Sequence, residues 1–207
     1  MYDVAVFDQS PGQGAVAESP LVNCSSIEHE LNPGITITEQ PFLGYLALRG
    51  NAADEGFRQG VEKALSTPLP VTPLRLNQHA SDGSSIQWVS PDEWLIVVEH
   101  GKEYAIEVTL RDELSGHFSI VNISGGHTLL TLSGPAAREV LCKSTTYDVH
   151  SRNFTVGKAV STNLGKATTI IRRPSGDVWE LIIRRSFANY CWRWLIDASQ
   201  EFGVYYR

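Results

Sequence analysis

Residues 178–203 have the sequence VWELIIRRSFANYCWRWLIDASQEFG, which contains the signals of a strand and then of a helix. Residues 178–184 are rich in β-formers and alternate between two faces, which predicts a half-buried strand. Ser186 is the predicted N-cap, because its hydroxyl is able to accept a hydrogen bond from the amide of Asn189. Gly203 stands where a left-handed residue commonly ends a helix. The stretch therefore predicts a strand followed directly by an amphipathic helix.

The predicted helix has an apolar stripe and a second, smaller apolar pair. At helical spacing, the stripe that is expected to face the core contains Phe187, Tyr190, Cys191, Trp194, Leu195, Ala198 and Phe202. Trp192 and Ile196 project together at i, i+4, outside this stripe and next to the polar face. Either another part of the same chain covers this pair, or the pair contacts a partner chain. We predict that Trp192 and Ile196 are partner-interface residues.

The composition is that of an ordinary globular protein and excludes several classes of function. Hydrophobic residues make up 42% of the 207 residues, which is enough for a substantial core. The net charge of −6 argues against a nucleic-acid partner, because phosphate recognition needs concentrated Lys and Arg. No apolar run is long enough to span a membrane, and the N-terminus lacks a signal-peptide pattern. We therefore expect a soluble cytoplasmic protein without a membrane partner.

The three cysteines do not suggest a disulfide framework or a zinc site. Cys24, Cys142 and Cys191 are odd in number, far apart and outside any C-x-x-C pair. We expect all three to be free thiols.

The chain is predicted to contain a leading arm and one domain. The first residues are rich in Ser, Gly, Pro and Gln and show little periodicity. We therefore predict that residues 1–35 form an arm that is poorly ordered alone, and that is either disordered or ordered only along a partner. Residues 36–207 are predicted to form a single α+β domain.

The rest of the chain alternates strand and helix signals. Strands are predicted at residues 42–49, 86–89, 94–99, 117–123, 127–132, 158–163, 167–173 and 178–184, with a short terminal strand at 204–207. Helices are predicted after an Asn51 cap, with Phe57, Val61 and Leu65 on one face, and at residues 102–114 and 135–143. Residues 67–82 contain three prolines and are predicted to form a loop. Pro91 at the second position of Ser90-Pro91-Asp92-Glu93 predicts a type I turn that joins strands 86–89 and 94–99 in a β-hairpin. This order predicts an α+β fold in which antiparallel sheets have helices packed on one face.

Local motifs provide no catalytic machinery. Ser124-Gly125-Gly126 is predicted to be a hairpin turn, because adjacent glycines between strands are a standard turn signal. That hairpin would place His117 and His127 on adjoining strands, but a histidine pair without a third ligand does not indicate zinc. The chain also lacks phosphate-binding, metalloprotease and nucleophile-elbow motifs. We therefore predict no catalytic, cofactor-binding or metal-binding residues.

Three stretches carry a resemblance to a known family. They are residues 92–96 (DEWLI), residues 122–141 (NISGGHTLLTLSGPAAREVL), and residues 184–190 (RRSFANY) with Trp192, Trp194 and Leu195. Through these residues the chain, over about residues 86–203, resembles the gamma subunit of heterotetrameric sarcosine oxidase.

The resemblance implies a fold related to the folate-binding domain of the glycine-cleavage aminomethyltransferase. It also implies a place in a complex that oxidatively demethylates sarcosine to glycine, transfers the one-carbon unit to tetrahydrofolate and forms hydrogen peroxide. FAD, FMN, NAD and tetrahydrofolate are then expected on other subunits. This chain is expected to be a non-catalytic partner that packs mainly on the alpha subunit, with beta and delta subunits in the same complex.

Two alternatives stay open. The chain could be a one-carbon module that binds folate itself, which requires a deep pocket with a carboxylate for the pterin. No acidic group of the sequence is assigned to such a pocket. The chain could also be the equivalent subunit of an oxidase or dehydrogenase that acts on another N-methyl amino acid.

Overall fold

The computed structural model describes residues 14, 16–24, 26 and 33–206, and these residues form two compact units. The first unit contains residues 14 and 16–18 together with Phe42–Ser124, and the second contains the described residues from Ser19 to Pro41 and from Gly125 onward. Both units are therefore discontinuous in sequence. The predicted arm lies largely outside the described residues, so its mobility and the predicted single domain from residue 36 stay predictions.

Eleven strands and four α-helices make up the regular structure of the described residues. In chain order they are β1 (Ile35–Gln40), β2 (Gly44–Arg49), α1 (Glu55–Leu65), β3 (Leu76–Gln78), β4 (Ser85–Ser90), β5 (Glu93–Val98), α2 (Glu103–Glu113), β6 (Ser119–Asn122), β7 (His127–Ser133), α3 (Ala137–Ser144), β8 (Lys158–Leu164), β9 (Ala167–Ser175), β10 (Val178–Arg184), α4 (Ala188–Ser199) and β11 (Val204–Tyr206). None of these helices is long and apolar enough to cross a membrane.

The first unit is a five-stranded antiparallel sheet with α1 and α2. Its strand order is β3-β4-β5-β2-β6. The predicted hairpin at Pro91 is confirmed, because β4 and β5 pair directly with Trp88 opposite Trp94. Trp94 is fully buried, and its indole Nε1 donates to the carbonyl of Pro70 at 2.8 Å. That hydrogen bond satisfies the polar atom of the bulky ring inside the core.

Helix α1 begins at a different cap from the predicted one. Asp54 is the N-cap, and its Oδ1 accepts from the amides of Gly56 and Phe57 at 2.8 and 3.3 Å. The side chain of Asn51 instead accepts from the amide of Ala53, in the turn before the helix. Both residues suit a cap, so the sequence alone did not decide between them. The predicted inner face is confirmed by the burial of Phe57, Val61 and Leu65.

The second unit is a six-stranded sheet with α3 and α4. Its strand order is β11-β1-β7-β10-β9-β8, and the pairs are antiparallel except for β1 with β11. Strands β7 and β10 lie near the centre, and each has three consecutive buried residues, 128–130 in β7 and 181–183 in β10, as expected for strands covered on both sides. The predicted α+β class with antiparallel sheets is confirmed. The short terminal strand is also confirmed, as β11.

The predicted hairpin at Ser124-Gly125-Gly126 is wrong. Strand β6 pairs with β2 in the first unit, whereas β7 pairs with β1 and β10 in the second. The two strands therefore belong to different sheets, and the boundary between the units falls between Ser124 and Gly125. Ser124 ends the first unit in a local turn, because its amide and hydroxyl both donate to the side-chain oxygen of Asn122. His117 and His127 consequently do not lie on paired strands.

Two strands were not predicted from the sequence. Strand β3 lies within residues 67–82, which were expected to form a loop, and it pairs with β4 over three residues. Strand β1 follows the predicted arm and supplies Ile35 and Ile37 to the core, where both are fully buried. The alternation of isoleucine and threonine in ITIT is a period-two strand signal.

Residues 19–24 of the predicted arm belong to the second unit. Leu21 is buried, with 3% of its surface exposed. The Sγ atom of Cys24 accepts from the side-chain amide of Asn189 on α4. Cys24, Cys142 and Cys191 are all free thiols, as predicted.

Candidate interaction surface on the last helix

The buried face of α4 differs from the predicted stripe. Strand β10 has the predicted bounds, but residues Arg185–Phe187 form a 3₁₀ turn, and Phe187 rather than Ser186 is the N-cap. The buried residues of the helix are Ala188, Cys191, Leu195 and Ser199. At 100° per residue, this face is rotated by roughly 80° from the centre of the predicted stripe. Gly203 has a positive φ of 70° after a second 3₁₀ turn, Gln200–Phe202.

The inner face of α4 consists mainly of small side chains. The hydroxyl of Ser199 donates to the carbonyl of Leu195 and so remains satisfied inside the core. Small residues let a helix backbone approach its neighbours closely, which leaves no room for the larger aromatic side chains on that face. A series of Ala, Cys and Ser at positions i, i+3 and i+11 was the sequence signal for this face, but the larger aromatic residues at other positions dominated the apolar pattern.

Two aromatic residues of the predicted core stripe lie on the surface. Phe187 is 44% exposed and Trp194 is 37% exposed. With Tyr190 they follow an i, i+3, i+7 spacing, so the three rings lie along one side of the helix. We call Phe187, Tyr190 and Trp194 the aromatic surface.

Within the aromatic surface, Tyr190 and Trp194 pack on the turn between β8 and β9. The hydroxyl of Tyr190 accepts from the amide of Lys166 at 3.0 Å, and the Tyr190 and Trp194 ring centroids lie 6.2 Å apart. Gly165 in this turn has φ 58°, and a Cβ there would lie 2.5 Å from the Tyr190 hydroxyl and 3.1 Å from the Trp194 ring. Glycine is therefore required, because it permits both the left-handed backbone and the close approach of the rings. The two rings are thus held in fixed positions.

The predicted interface pair lies on a different side of the helix. Trp192 is half-buried, and its ring packs edge-on against Tyr206 of β11, with centroids 5.5 Å apart. Its indole Nε1 is buried and has no hydrogen-bond partner within the described part of the chain. Ile196 is also half-buried. The terminal strand thus covers part of this pair, and its contact with a partner chain stays a prediction.

Burial raises the pKa of two weakly acidic side chains, the Cys191 thiol on α4 and the Tyr206 phenol on β11. Burial raises the pKa of the Cys191 thiol from 9.0 to about 11. Burial, with the nearby Glu39 carboxylate as a smaller cause, raises the pKa of Tyr206 from 10.0 to about 12. A thiol that stays protonated at neutral pH is a weak nucleophile. Cys191 therefore serves as a packing residue.

Two cavities lie within single units. One, in the first unit, measures about 110 Å³ and is lined by His79 and Asp82, whose Nδ1 and Oδ1 atoms lie 2.9 Å apart. The other, in the second unit, measures about 250 Å³ and is lined by Arg138 and Arg173. Both are smaller than the roughly 300–1,000 Å³ typical of cofactor pockets, so neither fits a flavin or a folate. Within residues 14, 16–24, 26 and 33–206, no group of three or more potential ligands is arranged to hold a metal ion.

Sequence comparison finds a family that covers most of the chain. A family model described as "Sarcosine oxidase, gamma subunit family" matches residues 49–201. The sarcosine oxidase subunit gamma of Corynebacterium sp. strain P-1 is 32% identical over 171 residues, which are 82% of this chain and 82% of that protein.

Structural comparison gives the same relationship. A chain of the heterotetrameric sarcosine oxidase from Corynebacterium sp. U-96, solved with pyrrole 2-carboxylate, has a TM-score of 0.80 and 28% identity, over 90% of this chain and 96% of that chain. The glycine cleavage system aminomethyltransferase T from Bartonella henselae has a TM-score of 0.61 at 16% identity, over 84% of this chain and 48% of that chain. The second similarity confirms the expected likeness of the fold to that of an aminomethyltransferase.

Proposed function

Because the chain belongs to the sarcosine oxidase gamma subunit family, we propose that it is the gamma-type subunit of a heterotetrameric sarcosine oxidase. The complex would oxidatively demethylate sarcosine to glycine, transfer the one-carbon unit to tetrahydrofolate and form hydrogen peroxide. The other partners would be alpha, beta and delta subunits, and FAD, FMN, NAD and tetrahydrofolate would be bound by them. The similarity over nearly the full length of a chain from such a complex supports this proposal.

The role proposed for this chain is to stabilise the complex without catalytic residues. The observation that carries this role is the exposure of Phe187 and Trp194, of which Trp194 packs on Tyr190 and on the turn at Gly165. Large aromatic side chains that are fixed before binding are typical anchors of protein interfaces, because they bury much area at little cost in conformational entropy. We propose that the aromatic surface contacts the alpha subunit. Contact through Trp192 and Ile196 is the alternative placement of the interface.

Folate binding by this chain is the weaker candidate. The aminomethyltransferase similarity supports a shared fold, and fold alone does not carry a ligand site from one protein to another. A subunit of an oxidase for another N-methyl amino acid would have the same surface. A measurement of the activity of the assembled complex is therefore needed to identify the substrate.

Purification of the complex through a tag on this chain tests the proposal. We expect the alpha, beta and delta subunits to co-purify from the native host, with a flavin absorbance spectrum and sarcosine-dependent peroxide formation. A complex that oxidises a different N-methyl amino acid and leaves sarcosine unchanged would support the alternative substrate. Recovery of the chain alone, without flavin, would contradict the assignment to a complex.

Calorimetry on the isolated chain tests its non-catalytic role. We expect no saturable heat on titration with FAD or with tetrahydrofolate, because neither of the two cavities described above reaches the size of a typical cofactor pocket. Saturable binding in the micromolar range, about −8 kcal/mol, would instead favour a folate- or flavin-binding module.

A further inference from the structure

The second unit contains a polar cavity that the proposed function does not use. It measures about 250 Å³ and lies beside the start of α3 and the turn between β9 and β10. The lining residues are Gly134, Pro135, Arg138, Ser151, Arg173, Asp177 and Trp179. Two arginines and one acidic residue thus surround a space large enough for a small molecule.

Arg173 is fixed in the wall of this cavity. Its Nε donates to the carbonyl of Gly176 at 2.8 Å, and its Nη1 donates to the carbonyl of Phe154 at 2.7 Å. Its guanidinium also lies over the buried Trp179 ring, 5.1 Å from the centroid. Its Nη2 has no hydrogen-bond partner among the residues that the structure describes. The side chain is therefore preorganised and keeps donors available for a ligand.

Arg138 provides a second guanidinium with available donors. Its Nη2 donates to the Glu139 carboxylate at 2.8 Å, and its Nε and Nη1 have no partner among the described residues. Arg138 lies in the first turn of α3 and is partly exposed, so a small ligand is able to reach it from solvent. Two guanidinium groups on one small cavity match the planar, bidentate geometry of a carboxylate.

The charges around the cavity balance. Arg138 and Arg173 are cationic, Asp177 is an anionic lining residue, and Glu139 neutralises the outer side of Arg138. A doubly charged phosphate would leave excess negative charge beside Asp177, whereas a ligand with one positive and one negative group keeps the balance. A small amino acid has this pair of charges. Trp179 provides an apolar wall for its carbon atoms.

We propose that this cavity binds a small amino acid in its zwitterionic form. The carboxylate would be held by Arg138 and Arg173, and the ammonium group would be held by Asp177. The proposal does not rest on the proposed function, because none of the lining residues belongs to the aromatic surface. Its failure would leave the proposed function unchanged.

Nuclear magnetic resonance on the full chain tests the proposal with a local signal. Glycine, acetate and inorganic phosphate are titrated separately, and the indole N–H of Trp179 and the amide of Gly176 are followed. We expect saturable shifts with glycine at a Kd on the order of 1 mM, as for a ligand of few atoms at a partly exposed site. Acetate and phosphate are expected to bind at least about tenfold more weakly, since each lacks the ammonium group.

Three variants assign the charges. Arg138→Gln and Asp177→Asn are both expected to weaken glycine binding about tenfold or more, because each removes one charge-assisted contact. Arg49→Gln is the matched control, since Arg49 is also an exposed arginine in a single ion pair, with Asp92 in the first unit. Unchanged glycine affinity in Arg138→Gln or Asp177→Asn would overturn the proposal. Equal affinity for acetate and glycine, tighter binding of phosphate, or no saturable shift would also overturn it.

Discussion

Trp192 and Trp194 are two residues apart on α4 but occupy different environments. Trp192 is half-buried and packs on Tyr206, whereas Trp194 is 37% exposed beside Tyr190 and Gly165. At 100° per residue the two rings point about 200° apart around the helix. The rotation of α4 about its own axis, which is its phase, therefore decides which tryptophan is available to a partner. That phase depends on the 3₁₀ turn Arg185–Phe187, which moves the start of the helix away from the predicted cap.

The largest effect is expected on the buried inner face of α4, which lies between Trp192 and Trp194 in angle around the helix axis. Leu195 is fully buried, so Leu195→Ala should lower the free energy of unfolding by about 2–5 kcal/mol. Chemical denaturation of the isolated chain measures this value. Asp197→Ala is the control on the exposed side and should change stability by less than about 0.5 kcal/mol. A loss below about 1 kcal/mol for Leu195→Ala would mean that the inner face is placed incorrectly.

Truncation of Trp194 should affect assembly more than folding. Trp194→Ala is expected to weaken association with the other subunits by about 2 kcal/mol or more, as for an aromatic anchor. The isolated chain should lose less than about 1 kcal/mol of stability, because the ring is a surface group. Phe187→Ala should show the same pattern. The reverse pattern, with a large loss of stability and normal assembly, would place Trp194 within the core of its own chain.

Truncation of Trp192 should affect folding more than assembly. Its ring packs on Tyr206, so Trp192→Ala should lower the free energy of unfolding by about 1–2 kcal/mol, less than for a fully buried aromatic residue. Tyr206→Ala and the double variant complete a mutant cycle that isolates the ring contact. If Trp192→Ala left the stability unchanged but prevented assembly, the Trp192–Ile196 placement of the interface would be correct instead.

The smallest effect is a change of stability with alkaline pH. The pKa of Cys191 is 9.0 when the chain is unfolded and about 11 when it is folded, so the unfolded state loses its proton first. The contribution of the Cys191 thiol to the free energy of unfolding is fully present below pH 9. It is lost as the pH rises towards 11, by at most about 1.4 kcal/mol per pH unit. Tyr206 adds a similar loss, but only above pH 10.

Denaturation curves between pH 8.5 and 10 separate the two groups. In this window, Cys191→Ala should flatten the pH dependence, although the variant is less stable overall because it leaves a cavity. Cys142→Ala, which changes an exposed thiol, should leave the slope unchanged. An unchanged slope in Cys191→Ala would show that the thiol is not buried in solution.

The sequence predicted local units better than long-range partners. Strand β10 and the hairpin of β4 and β5 were predicted correctly, because alternation and a proline turn are local signals. The link at Ser124-Gly125-Gly126 was predicted wrongly, since the same glycine signal joins two sheets here instead of two paired strands. Sequence spacing does not reveal which strand a given strand pairs with.

The candidate surface was predicted only in part. The last helix and its buried positions Cys191 and Leu195 were predicted correctly, whereas Phe187 and Trp194 were predicted to be buried and are exposed. An apolar pattern weights Phe187 and Trp194 heavily because they are large. The fold instead buries Ala188, Cys191 and Ser199, which fit closely against their neighbours. The cavity at Arg138 and Arg173 was not found either, because its residues come from distant parts of the chain.

Hydroxyl-radical footprinting of the free chain and of the assembled complex tests the central claim most directly, because mass spectrometry reports both tryptophans from the same segment. We expect Phe187 and Trp194 to be oxidised readily in the free chain and to be protected in the complex. Trp192 should be less reactive than Trp194 in the free chain, owing to its contact with Tyr206, and should change little on assembly. Equal oxidation of Trp194 in both states, together with new protection of Trp192 in the complex, would show that the partner contacts Trp192 and not the aromatic surface.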